Sequence, residues 1–252
     1  MVQGKLEGKV AIITGAAAGL GEGIAETYVK YGAKICMVDL DPNVDKTADR
    51  IRGMYPDAQI ITVVANVADK QQMIDAAAKT KEAFGSLDVA CCNAGVCRLA
   101  PFEEMTDETR DFHIDVNIKG VLNGIAAALP TFKAQKSGHF VATSSVAGLK
   151  AYPGGAVYGA TKWAVRDLME VLRMEAAEEG AHIRTATIYP AAIKTELLST
   201  ITDQDAAQGA QQMYDHYEIS ADRVAKVVSF AIDMPADTNV SEFTVGPTDQ
   251  PW

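Results

Sequence analysis

Short runs of apolar, largely β-branched residues recur along the chain, and most stop at a glycine, aspartate, asparagine or serine. They fall near 9–14, 34–39, 59–64, 87–93, 139–144, 183–189 and 242–245. An uninterrupted run such as Val10 to Ile13 suits a strand covered on both faces. Between the runs, apolar residues return every three to four positions, the period of a helix with one buried face. The longest such stretch reaches from about Thr106 to Lys136, with Pro130 expected to kink it or to begin its last turns. Strand and helix alternating throughout predict one doubly wound α/β domain over 1–252, a seven-stranded parallel sheet with helices on both faces. In such a sheet ligands bind at the carboxyl ends of the strands. One segment breaks the rhythm. Residues 196–219 separate two elements by more than an ordinary connection, which predicts a lid, and the next helix starts near Ser220. A short amphipathic helix lying on the core accounts for the same residues equally well.

Composition narrows the class. A chain of 252 residues, 48% apolar and 22% charged, buries a full single-domain core. A net charge of −10 argues against nucleic acid and anionic membrane surfaces, both of which need basic patches. No charged-then-apolar leader or membrane-length apolar run is seen, so a cytoplasmic location is expected. Cys36, Cys91, Cys92 and Cys97 show no metal spacing and read as reduced core thiols; His113, His139, His182 and His216 share no ligand spacing either. No metal is expected.

Two patterns carry chemistry. Residues 10–21 read VAIITGAAAGLG, a strand breaking into a glycine turn and then a helix. Gly15, Gly19 and Gly21 let backbone approach a ligand, and the free N–H groups opening the helix suit a pyrophosphate. The spacing is not the usual G-x-G-x-x-G, and a plain glycine-rich turn is the alternative. Asp39 ends the second strand about twenty residues later, placed to accept from a ribose 2′-hydroxyl and to repel a 2′-phosphate. No Lys or Arg lies in the glycine turn or directly after Asp39, so NAD is expected over NADP. The second pattern is Tyr158 and Lys162, four apart on a helix face, with Ser145 thirteen residues upstream. A neighbouring cation favours phenolate, and a serine hydroxyl can hold an oxygen beside the phenol. Alone, the tyrosine and lysine read more readily as a surface pair.

Together the motifs resemble the short-chain dehydrogenase/reductase family over nearly the whole chain. They run in order as TGAAAGLG, the NAG of Asn93–Gly95, Asn117 in VNIKG, Ser145, Tyr158-x-x-x-Lys162, and YPAAIKT around Pro190–Thr195. DVNIKGVLNGIAAALP, YPGGAVYGATKWAV and the VGPTDQ near the end look nearest to a clavulanate-dehydrogenase-like or serine-dehydrogenase-like branch. The resemblance implies a Rossmann-type fold and a role for each matching position. Tyr158 becomes general acid/base; Lys162 lowers its pKa and holds the nicotinamide ribose. Ser145 orients the substrate oxygen, and Asn117 holds a water leading from Lys162 to solvent. Gly15, Ala18, Gly19, Leu20, Gly21, Asp39, Leu40, Asn66, Val67, Asn93, Ala94 and Gly95 would hold the adenosine and pyrophosphate, and Pro190, Ile193 and Thr195 the carboxamide. Residues 196–219 become the substrate lid, with Leu197, Leu198, Ile201, Met213, Tyr214 and Tyr217 as an apolar wall. Leu149, Tyr152 and Tyr189 are further pocket candidates, Tyr189 reading more readily as ordinary packing. The chain departs from the family's pattern at Cys92 and Asn66, in place of Asn and Asp, and at Ala191, in place of Gly.

The expected activity is NAD-dependent interconversion of a secondary alcohol and its ketone, on an apolar or amphipathic small molecule. A polar hydroxy acid or sugar-like alcohol is the alternative substrate, and an NAD(H) sensor without turnover the alternative class. An acyl-carrier-protein ketoreductase would need a basic docking patch and NADPH, which the acidic charge and Asp39 oppose. The resemblance also implies a homodimer or homotetramer, with Pro251-Trp252 as a candidate intersubunit contact.

Overall fold

The computed structural model describes residues 5–251; Trp252 lies outside them. In chain order the elements are β1 (Val10–Thr14), α1 (Gly19–Lys30), β2 (Lys34–Asp39), α2 (Val44–Met54), β3 (Ile60–Val64), α3 (Lys70–Phe84) and β4 (Val89–Cys92). There follow α4 (Asp107–His113), α5 (Gly120–Gln135), β5 (Gly138–Thr143), α6 (Ala156–Glu178), β6 (Ile183–Pro190) and β7 (Ile193–Lys194). The last are α7 (Gln204–Tyr217), β8 (Ile219–Ser220), α8 (Ala221–Asp233) and β9 (Glu242–Val245). Seven strands form one parallel sheet in the order β3-β2-β1-β4-β5-β6-β9, as the alternation predicts.

Neighbouring side chains of one strand leave the sheet on opposite faces. Ala11 and Ile13 of β1 join a core with Ile35 and Met37 of β2, Ile24 and Tyr28 of α1, and Val224 and Val228 of α8. Ile12 joins the other, with Cys36 and Val38 of β2, Met73 of α3, Phe132 of α5 and Val165 of α6. Both faces are therefore dry, which is why the strands read as unbroken apolar runs. Each fully buried Ile, Val, Phe or Met contributes about 1.5–3 kcal/mol.

The helical stretch from Thr106 to Lys136 carries Pro130 in its last turns, one of its two expected placements. No break falls at Pro130, which lies inside α5. The interruption is instead at Ile114–Lys119, a π turn in which the Gly120 N–H reaches back to the carbonyl of Asp115. The extra residue per turn rotates Asn117 into the interior, where it is fully buried.

His139 of β5 is 1% exposed, and neither ring nitrogen has a hydrogen-bond partner among the described residues. Burial, aided by the Arg184 and Lys9 cations, pushes its pKa down to about 3. The ring is then neutral in the fold and charged in the unfolded chain below about pH 6.5. This contribution to stability is present above about pH 6.5 and is lost as pH falls toward 3. At pH 4 the loss is about 3 kcal/mol. Urea melts of the wild type and His139→Leu at pH 7 and pH 4 check it: the variant should lose that much less on acidification. Equal losses would refute the assignment.

Candidate active site

The loops after β1, β2, β4, β5 and β6 converge on one cleft of about 560 Å³ at the carboxyl edge of the sheet. Its floor is the glycine turn. Gly15 takes φ +66°, and a Cβ there would lie 2.8 Å from the Ala94 Cα. A Cβ on Gly21 would overlap the Gly15 carbonyl and stand 2.8 Å from Asn93 Nδ2. Turn and helix thus touch backbone to backbone, which only glycine permits. Thr14 ties this turn to β4, its hydroxyl accepting from Asn93 N–H at 3.0 Å and Ala94 N–H at 3.1 Å. No side chain caps the N-terminus of α1, whose Gly19 and Leu20 line the cleft. Asp39 is held facing it, Oδ2 accepting from Ala17 N–H and Oδ1 from Asp41 N–H, both at 2.9 Å.

Ser145 follows β5, while Tyr158 and Lys162 descend from the first turns of α6. All three line the cleft. Ser145 Oγ caps the turn 146–148 by accepting from Ala147 N–H at 3.1 Å, so its own proton is left for the cleft, where the Tyr158 hydroxyl is its neighbour. Lys162 donates to the Thr143 carbonyl at 2.9 Å, and its Nζ lies 5.7 Å from the centre of the Tyr158 ring. Ser144, unassigned in the sequence, donates to the Lys162 carbonyl at 2.8 Å and pins α6 to the end of β5. Asn117 donates to the Val96 carbonyl and to Thr161 Oγ1, both at 3.0 Å, and accepts from Val96 N–H at 2.9 Å. Both of its side-chain donor hydrogens are used, so the amide cannot also donate to a water.

The electrostatics differ from the expectation that Lys162 pulls Tyr158 down. Burial pushes the Tyr158 phenol well above its ordinary value, the Cys97 thiol adding to this and a hydrogen bond from Ser145 opposing it. Burial also lowers Lys162 to about 8, with Cys97 opposing. A dry pocket disfavours the charged form of both partners. All four cysteines are free and buried.

Most of the candidate cofactor positions line this cleft: Gly15, Ala18, Gly19, Leu20, Asp39, Leu40, Asn66, Val67, Asn93, Ala94, Gly95, Pro190, Ile193 and Thr195. Gly21 and Asn117 lie behind the lining. Of the substrate candidates, Leu197 lines the cleft beside Ser145, and four do not. Tyr189 is 1% exposed on β6, its hydroxyl donating to Glu242 Oε1 of β9 at 2.6 Å, so it faces along the sheet. Tyr152 lays its ring on Gly155, near enough to Tyr158, Cys97 and Tyr214 for their charges to interact, and Met213 accepts from Gln250 Nε2 at 3.4 Å. Leu149 follows the turn that Ser145 caps and stays outside. Tyr214, expected in the apolar wall of the lid, lines the cleft with Leu197, and Phe112 and Val96 join them. Phe112 carried no sequence signal, because nothing in the local pattern of Asp107–His113 says which surface that helix meets. Segment 196–219 holds a one-turn helix, Glu196–Thr200, and then α7, with β8 pairing to β7 so that both ends stand together. Among the described residues no group of three His, Cys, Asp or Glu could hold a metal, and no helix is long and apolar enough to cross a membrane.

The family model for short chain dehydrogenases matches residues 9–206. The chain belongs to that family. An uncharacterized oxidoreductase of Listeria innocua is 53% identical over 249 residues, covering 98% of this chain and 99% of the relative. Among solved structures, a short-chain dehydrogenase/reductase from Burkholderia phymatum in complex with NAD is similar, with TM-score 0.88 and 27% identity over 95% of this chain and 89% of that one. So is an alcohol dehydrogenase from Thermococcus sibiricus complexed with 5-hydroxy-NADP, with TM-score 0.84 and 25% identity over 96% and 98%. In this short-chain dehydrogenase the departures are absorbed locally. The Cys92 thiol packs against Gly124 between β4 and α5. Asn66 accepts from Ala68 N–H at 2.9 Å, and Ala191 N–H donates to the Val245 carbonyl at 2.9 Å.

Proposed function

We propose that this oxidoreductase interconverts a secondary alcohol and its ketone with NAD. The observation that carries the reading is the convergence of Ser145, Tyr158 and Lys162 on one wall of the cleft whose other end is the glycine turn and Asp39. The residues fit a dinucleotide, since the cradle at Gly15 and Gly21 would be filled by a Cβ and the α1 N-terminus is open to an anion. Bound there, the nicotinamide supplies hydride exchange with the carbinol carbon. The chain supplies the proton: Tyr158 takes it from or returns it to the substrate oxygen, and Ser145 donates a hydrogen bond to that oxygen. Lys162, 5.7 Å from the centre of the ring, would when charged offset part of the burial that disfavours the phenolate. Asn117 holds the wall that carries Gly95. Phe112, Val96, Leu197 and Tyr214 surround the substrate end, which favours an alcohol bearing an apolar or aromatic group. Val171 and Met174, about half exposed on α6, support self-association as a homodimer or homotetramer. The test is reduced-nicotinamide absorbance with NAD and a panel of 2-butanol, cyclohexanol, 1-phenylethanol, 3-hydroxybutyrate and a sugar alcohol. Binding of NADH with no turnover on any of them would favour a sensor.

Asp39 makes the cofactor preference separately testable. A 2′-phosphate would meet the carboxylates of Asp39 and Asp41, and Lys162, the one cation in the lining among the described residues, serves the other end. Like-charge juxtaposition of this kind costs several kcal/mol, so NAD should bind at least about 100-fold more tightly than NADP. Asp39→Ser should narrow the ratio below about tenfold while weakening NAD itself, because Ala17 N–H loses its acceptor. Equal dissociation constants for the two cofactors in the wild type would sink the preference.

A further inference from the structure

Beyond β4 the segment Val96–Arg98 belongs to no strand, yet each of its three N–H groups ends on a side chain from a different part of the fold. Val96 N–H donates to Asn117 Oδ1, Cys97 N–H to Thr200 Oγ1 and Arg98 N–H to His113 Nε2, each at 2.9 Å. Thr200 belongs to segment 196–219, the expected lid. Its single proton is within reach of the carbonyl oxygens of Cys97 at 2.8 Å and Leu197 at 2.7 Å. His113 is fully buried at the end of α4, its Nδ1 lying 2.8 Å from the Thr109 carbonyl. Since Nε2 must accept from Arg98, Nδ1 carries the proton, and only the neutral ring satisfies both partners. Burial lowers its pKa, and the Arg98 and Lys162 cations that face it act the same way.

This segment is the backing of the proton-transfer site. Cys97 packs on Tyr158 and Ala147, with Leu99 and Leu197 against them. The His113 ring stands 6.2 Å from the Tyr158 ring, centre to centre and tilted by 58°. The Arg98 guanidinium lies 4.3 Å over Phe112, which lines the cleft. We infer that His113 and Thr200 are positioning residues for Tyr158, and that Thr200 makes the wall behind the phenol complete only when the lid is down. Closure of the lid and alignment of the acid/base are then one event, because the Cys97 backbone loses its partner whenever Thr200 leaves.

The inference rests on Tyr158 being the acid/base, so the test includes readouts that need no turnover. Thr200→Val and His113→Phe keep shape and remove the acceptors; Thr200→Ser and His113→Gln keep an acceptor for the same N–H. With the best alcohol of the panel, Val and Phe should lower kcat between about 10- and 100-fold, with the NADH dissociation constant within about twofold. Ser and Gln should restore most of the loss. In amide exchange and tyrosine-labelled NMR with NADH bound, Val should speed exchange at Cys97, Phe at Arg98, and both should move the Tyr158 ring resonances. Conservative and disruptive variants behaving alike, or turnover falling only in step with NADH affinity, would overturn the inference. Should the wild type oxidise no alcohol on the panel, the proposed function fails. The exchange rates and Tyr158 resonances then decide the positioning role by themselves.

Discussion

Tyr158→Phe should cost roughly 10²–10⁴-fold in turnover while NADH binding and folding stay nearly unchanged. The phenyl ring keeps every packing contact the structure gives Tyr158, on Cys97, Ala147, Leu99 and Leu197. What disappears is the hydroxyl, whose polar neighbour is the Ser145 side chain. Ser145 stays fixed without it, because its oxygen still caps Ala147. Stability should therefore change by no more than about 1 kcal/mol. The loss belongs to the proton: hydride can still be aligned, but nothing at the substrate oxygen can take or give H⁺. Steady-state kinetics, NADH fluorescence titration and a thermal melt on one preparation check all three statements. Full activity in the variant would mean that another group is the acid/base. A fall in NADH affinity equal to the fall in kcat would mean a binding role instead.

Gly21→Ala should destroy nucleotide binding, lowering NADH affinity by at least about 100-fold, a cost near 3 kcal/mol. The added Cβ overlaps the Gly15 carbonyl, a backbone atom that cannot swing aside. Relief requires α1 to separate from the turn. Gly15 cannot accommodate that move, because its own Cα side is closed by Ala94 and its φ is +66°. Overpacking of this kind costs a further 1–3 kcal/mol or so in stability. Gly53 is the matched control, being exposed near the end of α2 with nothing within 4 Å of an added methyl. Gly53→Ala should stabilise the fold by about 0.5–1 kcal/mol and leave NADH binding alone. Isothermal titration with NADH and urea melts of the two variants measure the contrast. Unimpaired NADH binding by Gly21→Ala would remove the glycine turn from the nucleotide site.

Much of this was legible in the chain because it depends on near neighbours. Unbroken apolar runs gave strands whose positions agree with the structure to within a residue or two, and the 3.6-residue period gave the helices between them. Strands covered on both faces carry no polar alternation, so the parallel sheet was visible too. The glycine turn, Asp39 and the i, i+4 pair of Tyr158 and Lys162 are short-range spacings that keep their meaning wherever the elements dock.

Beyond Leu197 and Tyr214 the far end of the cleft was not legible, and the reason is distance along the chain. Thr200 meets Cys97 across 103 residues and His113 meets Arg98 across 15, contacts set by docking and not by any local period. The π turn at Ile114–Lys119 is one residue more than a helical repeat accommodates and moves Asn117 inward, while Tyr189 was claimed by Glu242 of a neighbouring strand. The pKa directions at Tyr158 and Lys162 reversed the sequence-based expectation for the phenol because burial is a property of the assembled pocket. Sequence by itself determined the layers, the glycine cradle and the grouping of Ser145, Tyr158 and Lys162. Tertiary structure alone decided which side chains surround the far end of the cleft and what packs behind Tyr158, because those depend on which distant surfaces share one dry cavity.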